Sequence, residues 1–340
     1  MLKTNLKNLC QADGLTGRED TAVLEAEKVL RKYTNDVRVD KLGSLIGFIK
    51  SKKENAKTIL LDAHIDEIGL MVTGIEENGF LRINKCGGVS NRLLVSQEVT
   101  VHTANGDLFG VIGGKPTHLI SNEDANKAPT FEELFVDIGY GYEEACKKVA
   151  LGDVVIVNGP FYELLNGQFA SKAIDDRCCM VSILQALELL KDKDVGVNIA
   201  VLFSSQEERG GSGAKVSAYD INPDYAIAVD VTCSATPDMT AHKYNKIGDG
   251  VVICVGPALK KECSDKMINI CKEKNIKYQI GMETGGYTGT NADDIIVTRN
   301  GVETVLLSVA MKYMHSPIET VLLEDLETTA QAIAEYVLSL

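Results

Sequence analysis

The pattern of apolar positions changes character twice along the chain. Up to about residue 70, and again from about residue 161 onward, short continuous apolar runs alternate with apolar residues at helical spacing. The runs at 58–61, 199–203, 225–229 and 304–308 are too short for helices and apolar throughout, which predicts strands buried on both faces. Met180, Ile183, Leu184, Leu187 and Leu190 fall on one helical face, as do Leu322, Leu326, Ile333, Val337 and Leu340. Near the start, Thr16-x-x-Glu19 has the form of a capping box ahead of Ala22, Val23, Ala26, Leu30 and Tyr33. Buried strands alternating with amphipathic helices predict an α/β sheet covered on both faces. The stretch 71–160 reads differently. Segments 98–102 and 107–111 flank an Asn105-Gly106 turn, 154–157 adds another strand, and long helical stripes are few. This predicts a small β-rich domain at 71–160, inserted between two parts of the α/β domain at 1–70 and 161–340.

The composition of the 340 residues, 45% hydrophobic and 24% charged, is that of a folded chain and excludes disorder. No apolar run is long enough to cross a bilayer, and the first twenty residues lack the apolar core of a cleaved secretory signal. Nine cysteines without a C-x-x-C spacing fit reduced thiols and a cytoplasmic location. The net charge of −13 argues against nucleic-acid and anionic-membrane partners. It is equally compatible with simple solubility and with carboxylates that bind cations.

The residues that follow the buried strands decide more. His64 and Asp66 follow the first run, Glu207 and Glu208 the second, Asp230 the third and His315 the fourth, while Asp175 and Asp176 open the helix striped by Met180 to Leu190. In open α/β sheets ligands bind beyond the carboxyl ends of the strands. Any one of these residues alone would be an ordinary loop residue or helix cap; their recurrence at one type of position is the signal. His102 and His118 lack that context and are expected to be structural, and the role of His242 is open. Two histidines with at least three carboxylates suit two divalent ions, Zn²⁺ or equally Co²⁺, Mn²⁺ or Ni²⁺. One carboxylate would bridge the pair, a water between the ions would be the nucleophile, and a carboxylate outside the ligand set would take its proton. The adjacent Glu207 and Glu208 could divide the last two roles, ligand and base. On chemistry alone the expectation is a two-metal hydrolase.

The segments containing Ala63-His64-x-Asp66-Glu67, Asp175-Asp176-Arg177, Gln206-Glu207-Glu208-x-Gly210, Val229-Asp230 and Met314-His315-Ser316-Pro317-x-Glu319 together resemble the M42 family of metalloaminopeptidases, in order and over nearly the whole chain. The resemblance implies a mixed sheet covered by helices, of the dinuclear zinc exopeptidase type, with an inserted β-barrel-like dimerisation domain. It implies that Asp175 bridges two metals, that His64 and Asp230 complete one site, and that Glu208 and His315 complete the other. Glu207 would be the general base, and Asp66 would orient His64 through its far nitrogen. Zn²⁺ or Co²⁺ are the first expectations for the metals. The implied substrates are short peptides with a free N-terminus, and the implied assembly is of dimers into a dodecamer. Arg209 and the loop 233–237 depart from the usual family pattern, and 285–292 resembles a glycine-rich segment beside the substrate.

Three other readings compete. Some relatives carry an endoglucanase label, but a glycosidase sets two carboxylates about 5–9.5 Å apart across a sugar bond. Adjacent Glu207 and Glu208 serve that poorly, and the chain has no tryptophan to grip sugar rings. A non-catalytic oligomeric metal-binding protein would have no use for Glu207 as a spare carboxylate. A different dinuclear metallohydrolase is disfavoured by the motif order.

Overall fold

The computed structural model describes residues 1–121, 126–237, 239 and 244–340. The chain opens with α1 (Leu2–Gln11), α2 (Asp20–Leu30), β1 (Asp36–Val39), β2 (Leu45–Ile49) and β3 (Thr58–His64). It continues through β4 (Gly69–Ile75), β5 (Leu81–Cys86), β6 (Glu98–Thr103), β7 (Gly106–Gly113), β8 (Phe135–Asp137), α3 (Tyr142–Lys148) and β9 (Val154–Val157). Next come β10 (Tyr162–Glu163), β11 (Gln168–Ser171), α4 (Ile174–Leu190), β12 (Asn198–Ser204), α5 (Ser212–Ile221), β13 (Tyr225–Cys233) and β14 (Val251–Val255). The last elements are α6 (Lys261–Lys274), β15 (Tyr278–Met282), α7 (Ala292–Ile296), β16 (Glu303–Met311), β17 (Glu319–Leu322) and α8 (Leu323–Leu338).

Eight strands form one mixed sheet in the order β1-β2-β12-β3-β13-β16-β14-β15. Its centre, β12-β3-β13-β16, is parallel throughout. Side chains alternate across it. Ile59, Leu61, Ile199, Val201 and Phe203 join the larger core with α1, α2, α4, α6 and α8, while Leu60, Ala200 and Leu202 join the smaller core with α5 and α7. Burial on both faces is why these strands read as continuous apolar runs. Four parallel strands ending side by side also bring their carboxyl ends to one edge, with Ser204 opposite His64 and Asp230 opposite Ser308.

The β-rich stretch closes into a six-stranded antiparallel barrel, β4-β5-β8-β7-β6-β9, with a core of its own. The Asn105-Gly106 signal marks the β6–β7 hairpin, in which Thr103 pairs with Gly106. His102 joins the barrel to the α/β part: its Nε2 lies 3.0 Å from Asp13 Oδ2 and its Nδ1 lies 2.7 Å from Asp107. Asp13 in turn meets the Lys172 ammonium at 3.0 Å, and Lys172 meets Glu67 at 2.9 Å. His118 sits on an exposed turn, and His242 lies outside the described residues.

The capping box expected at Thr16 and Glu19 does not form. Helix α2 starts at Asp20 with Glu19 at its N-cap and no side-chain cap bond. The Glu19 carboxylate is taken elsewhere, accepting the N–H groups of Gly17 at 2.5 Å and of Gln206 at 3.2 Å. It therefore ties the helix start to the turn that carries Glu207. The C-terminal stripe is also trimmed: Leu322 ends β17 and Leu340 lies beyond α8.

Candidate metal centre

Strand β3 ends on His64 and buries it, with its side chain 2% exposed. The His64 Nδ1–H donates to the Asp66 carbonyl oxygen at 3.1 Å, which leaves Nε2 pointing at Asp175 Oδ1, 3.0 Å away. Fixing one ring nitrogen on an acceptor selects the tautomer whose other nitrogen can bind a cation. Asp230 lies within β13 and is buried. Asp175 and Asp176 sit at the non-helical start of α4, joined by a cis peptide. Glu207 and Glu208 occupy the turn after β12, and His315 the loop after β16. His315 Nε2 lies 3.5 Å from Asp175 Oδ2 and 3.4 Å from Glu208 Oε1.

Each oxygen of Asp175 thus faces a different histidine. Two triads result, His64–Asp175–Asp230 and Asp175–Glu208–His315, and in each the candidate ligand atoms lie within 4.8 Å of one another. A third group, Asp176 with Cys178 and Cys179, is enclosed in the protein interior. Its thiols contact each other at 3.8 Å, and burial raises the Cys179 pKa well above the usual range, so that thiol sits there as a neutral packing group.

The centre gathers more carboxylates than its two histidines can balance. Burial raises Asp230 well above the normal carboxylate range; His64 opposes this, and Glu207 and Asp175 add to it. Burial likewise pushes Glu207 up to about 7, opposed by His64 and reinforced by Asp66, Glu208 and Asp175. Asp175 is also desolvated, yet His315 and His64 hold it well below the normal range. His315 is pushed up to about 11 by Asp175 first and then Glu208. Carboxylates gathered out of water around two imidazoles are costly unless cations join them. Divalent ions would supply that charge and reverse the local shifts. The residues present fit such ions.

Asp66 does more than the sequence reading assigns to it. Its carboxylate stands 3.5 Å from His64 Nδ1, so the ring bond goes to its carbonyl instead. The two carboxylate oxygens accept the N–H groups of Glu207 and Glu208, both at 3.0 Å. Asp66 therefore spans the end of β3 and the turn after β12. Asp176 similarly accepts the His64 N–H at 3.1 Å. The barrel contributes a wall that sequence reasoning missed. A Cβ on Gly88 would fall 2.4 Å from His315 Nδ1, and one on Gly87 would fall 3.3 Å from the Glu208 Cβ. Gly88 does not have a left-handed backbone, so glycine is needed there for space.

The centre opens into a cleft of about 960 Å³ whose far side includes Glu283, Thr288 and Asp293. The glycine-rich segment folds over Asp293, whose carboxylate accepts the Thr288 and Gly289 N–H groups. Next to it, Asn291 donates to Asp62 and Ser204 beneath the site.

A sequence profile described as M42 glutamyl aminopeptidase matches residues 43–331. The chain belongs to the M42 peptidase family. Among its relatives, the lysyl aminopeptidase of Pyrococcus furiosus is 30% identical over 97% of this chain and 96% of its own. The structure of a TET aminopeptidase from a marine sediment archaeon, Thaumarchaeota archaeon SCGC AB-539-E09, superposes with a TM-score of 0.93 at 28% identity, covering 100% of this chain and 96% of that one. The Pyrococcus horikoshii TET1 peptidase, described as able to assemble into a tetrahedron or a large octahedral shell, gives 0.87 at 33% identity with both chains covered completely. The M42 protein described here is an aminopeptidase of the metal-dependent class, a peptide hydrolase. Family membership implies divalent metal, and the two triads are where these residues could hold it.

Proposed function

We propose that the protein removes N-terminal residues from short peptides, using two divalent ions, Zn²⁺ or Co²⁺ before Mn²⁺ or Ni²⁺, and an attacking water. The observation that carries this reading is the pair of triads that share Asp175. His64 and Asp230 complete one site, and Glu208 and His315 the other. When bound, the two ions lower the pKa of water and polarise the scissile carbonyl. Glu207 is outside both triads, adjoins the ligand candidate Glu208 and lines the same cleft, so it is the carboxylate assigned to accept the proton and return it to the leaving amine. Asp66 holds Glu207 and Glu208 at their amides and His64 through its carbonyl, so its role is orientation.

The stretch 71–160 is read as the dimerisation domain, with dimers building a dodecamer in the cytoplasm. Phe109 and Val111 support this reading: both stand exposed on β7, two residues apart on one side of the barrel. The likeness to the P. horikoshii TET1 peptidase supports a closed assembly, and an enclosed chamber would admit short chains only.

The test is kinetic. Metal-free protein reloaded with Zn²⁺, Co²⁺ or Mn²⁺ is expected to cleave aminoacyl-p-nitroanilides and to leave their N-acetyl forms intact. Cleavage of carboxymethylcellulose, or equal cleavage of blocked substrates, would overturn the reading.

A further inference from the structure

Glu319 is 3% exposed and belongs to neither triad, yet both of its carboxylate oxygens are engaged with the centre. One accepts the N–H of Asp175 and the other the N–H of His315, each at 2.9 Å. The topology puts it there. Glu319 opens β17, four residues after His315, and pairs with Ser171 at the end of β11, four residues before Asp175. A single side chain thus spans the two segments whose side chains face each other across 3.5 Å.

Both segments need holding. Ala173 has φ +54° and His315 has φ +60°, left-handed conformations that side-chain-bearing residues adopt only when their surroundings enforce them. Asp66 offers a parallel, since it accepts two amides from the Glu207–Glu208 turn. That turn also follows a left-handed residue, Gln206 at φ +59°.

We propose that Glu319 is a positioning residue that fixes the distance between Asp175 and His315 and so sets the affinity of the Glu208–His315 ion site. This rests on the two-ion reading above. A glutamine at 319 would keep the size but present an NH₂ group to one of the two amide donors, so one of the bonds must be lost.

The experiment is a Co²⁺ titration of metal-free full-length protein by calorimetry and visible absorption, for the wild type and Glu319→Gln. Loss of an outer hydrogen bond typically weakens a metal site by about 10–100-fold. The expected result is a weakening of that order in one of the two binding steps and a changed absorption band for that ion. The other step should change much less, because His64 and Asp230 stand on strands of the sheet, and excess Co²⁺ should partly restore turnover. If Glu319→Gln does not fold, Glu319→Asp carries the same test, because it keeps the charge but shortens the reach. Two binding steps and a spectrum identical to wild type in a folded variant would overturn the role of Glu319. A wild type that binds only one ion would overturn the two-ion reading itself.

Discussion

The two halves of the proposed metal centre are built differently. The His64–Asp230 half grows directly from two central strands of the sheet, and the His64 side chain is 2% exposed. The Glu208–His315 half hangs on two loops. Its histidine is 36% exposed, has a left-handed backbone and rests against a glycine of the barrel. Sites on strands are held by the whole core, whereas sites on loops depend on a few supporting contacts. The first half is therefore expected to bind its ion more tightly. The second half is where changes outside the ligand set should be felt, through Glu319 from one side and Gly88 from the other.

The largest effect should come from the residue that serves both halves without belonging to either. Glu207→Gln removes the proposed proton acceptor and should lower turnover by about 10²–10⁴-fold. Both ions should stay bound, and elemental analysis beside the rate measurement checks this. Gly88→Ala should discriminate between the halves. Its methyl group displaces the His315 ring, so the second ion should bind about 10–100-fold more weakly while the first is retained. Equal weakening of both would remove the distinction.

The smallest effect concerns how the barrel is seated. His102 is pushed up from 6.5 to about 9, chiefly by Asp13 against the opposing effect of burial, with help from Asp107. A raised histidine pKa stabilises the fold fully below about pH 6.5, and that contribution is lost as pH rises through 9. His102→Ala should cost about 1 kcal/mol at pH 6, a small value because the pair is partly exposed to solvent. Urea unfolding at pH 6 and pH 10 should show the difference from wild type shrinking at the higher pH.

The central strands and most of the candidate ligands were legible because each is a local event. A continuous apolar run ends, and a His, Asp or Glu follows. The structure refines this in one respect: His64 and Asp230 lie within their strands, so the polar residue belongs to the sheet. The hairpin at Asn105-Gly106 was legible for the same local reason. Barrel closure had no such local signal and was expected only from the family resemblance, because the β4–β9 pairing joins distant strands and no turn marks it. Glu319 and Asp66 act through backbone amides of other segments, and Gly88 acts by lacking a side chain against His315. Asp66 and Glu319 stand in the motifs themselves, but which backbone amides they hold leaves no pattern in residue type or spacing. Glu19 shows the reverse: a correct local motif whose carboxylate is recruited by Gln206 across the fold.

The most direct test of the central claim is anomalous diffraction at the cobalt edge from crystals of the Co²⁺-loaded protein. The account predicts two peaks per chain, one on each side of Asp175, with the weaker one beside Glu208 and His315. A single peak, or two peaks that do not share Asp175, would contradict it.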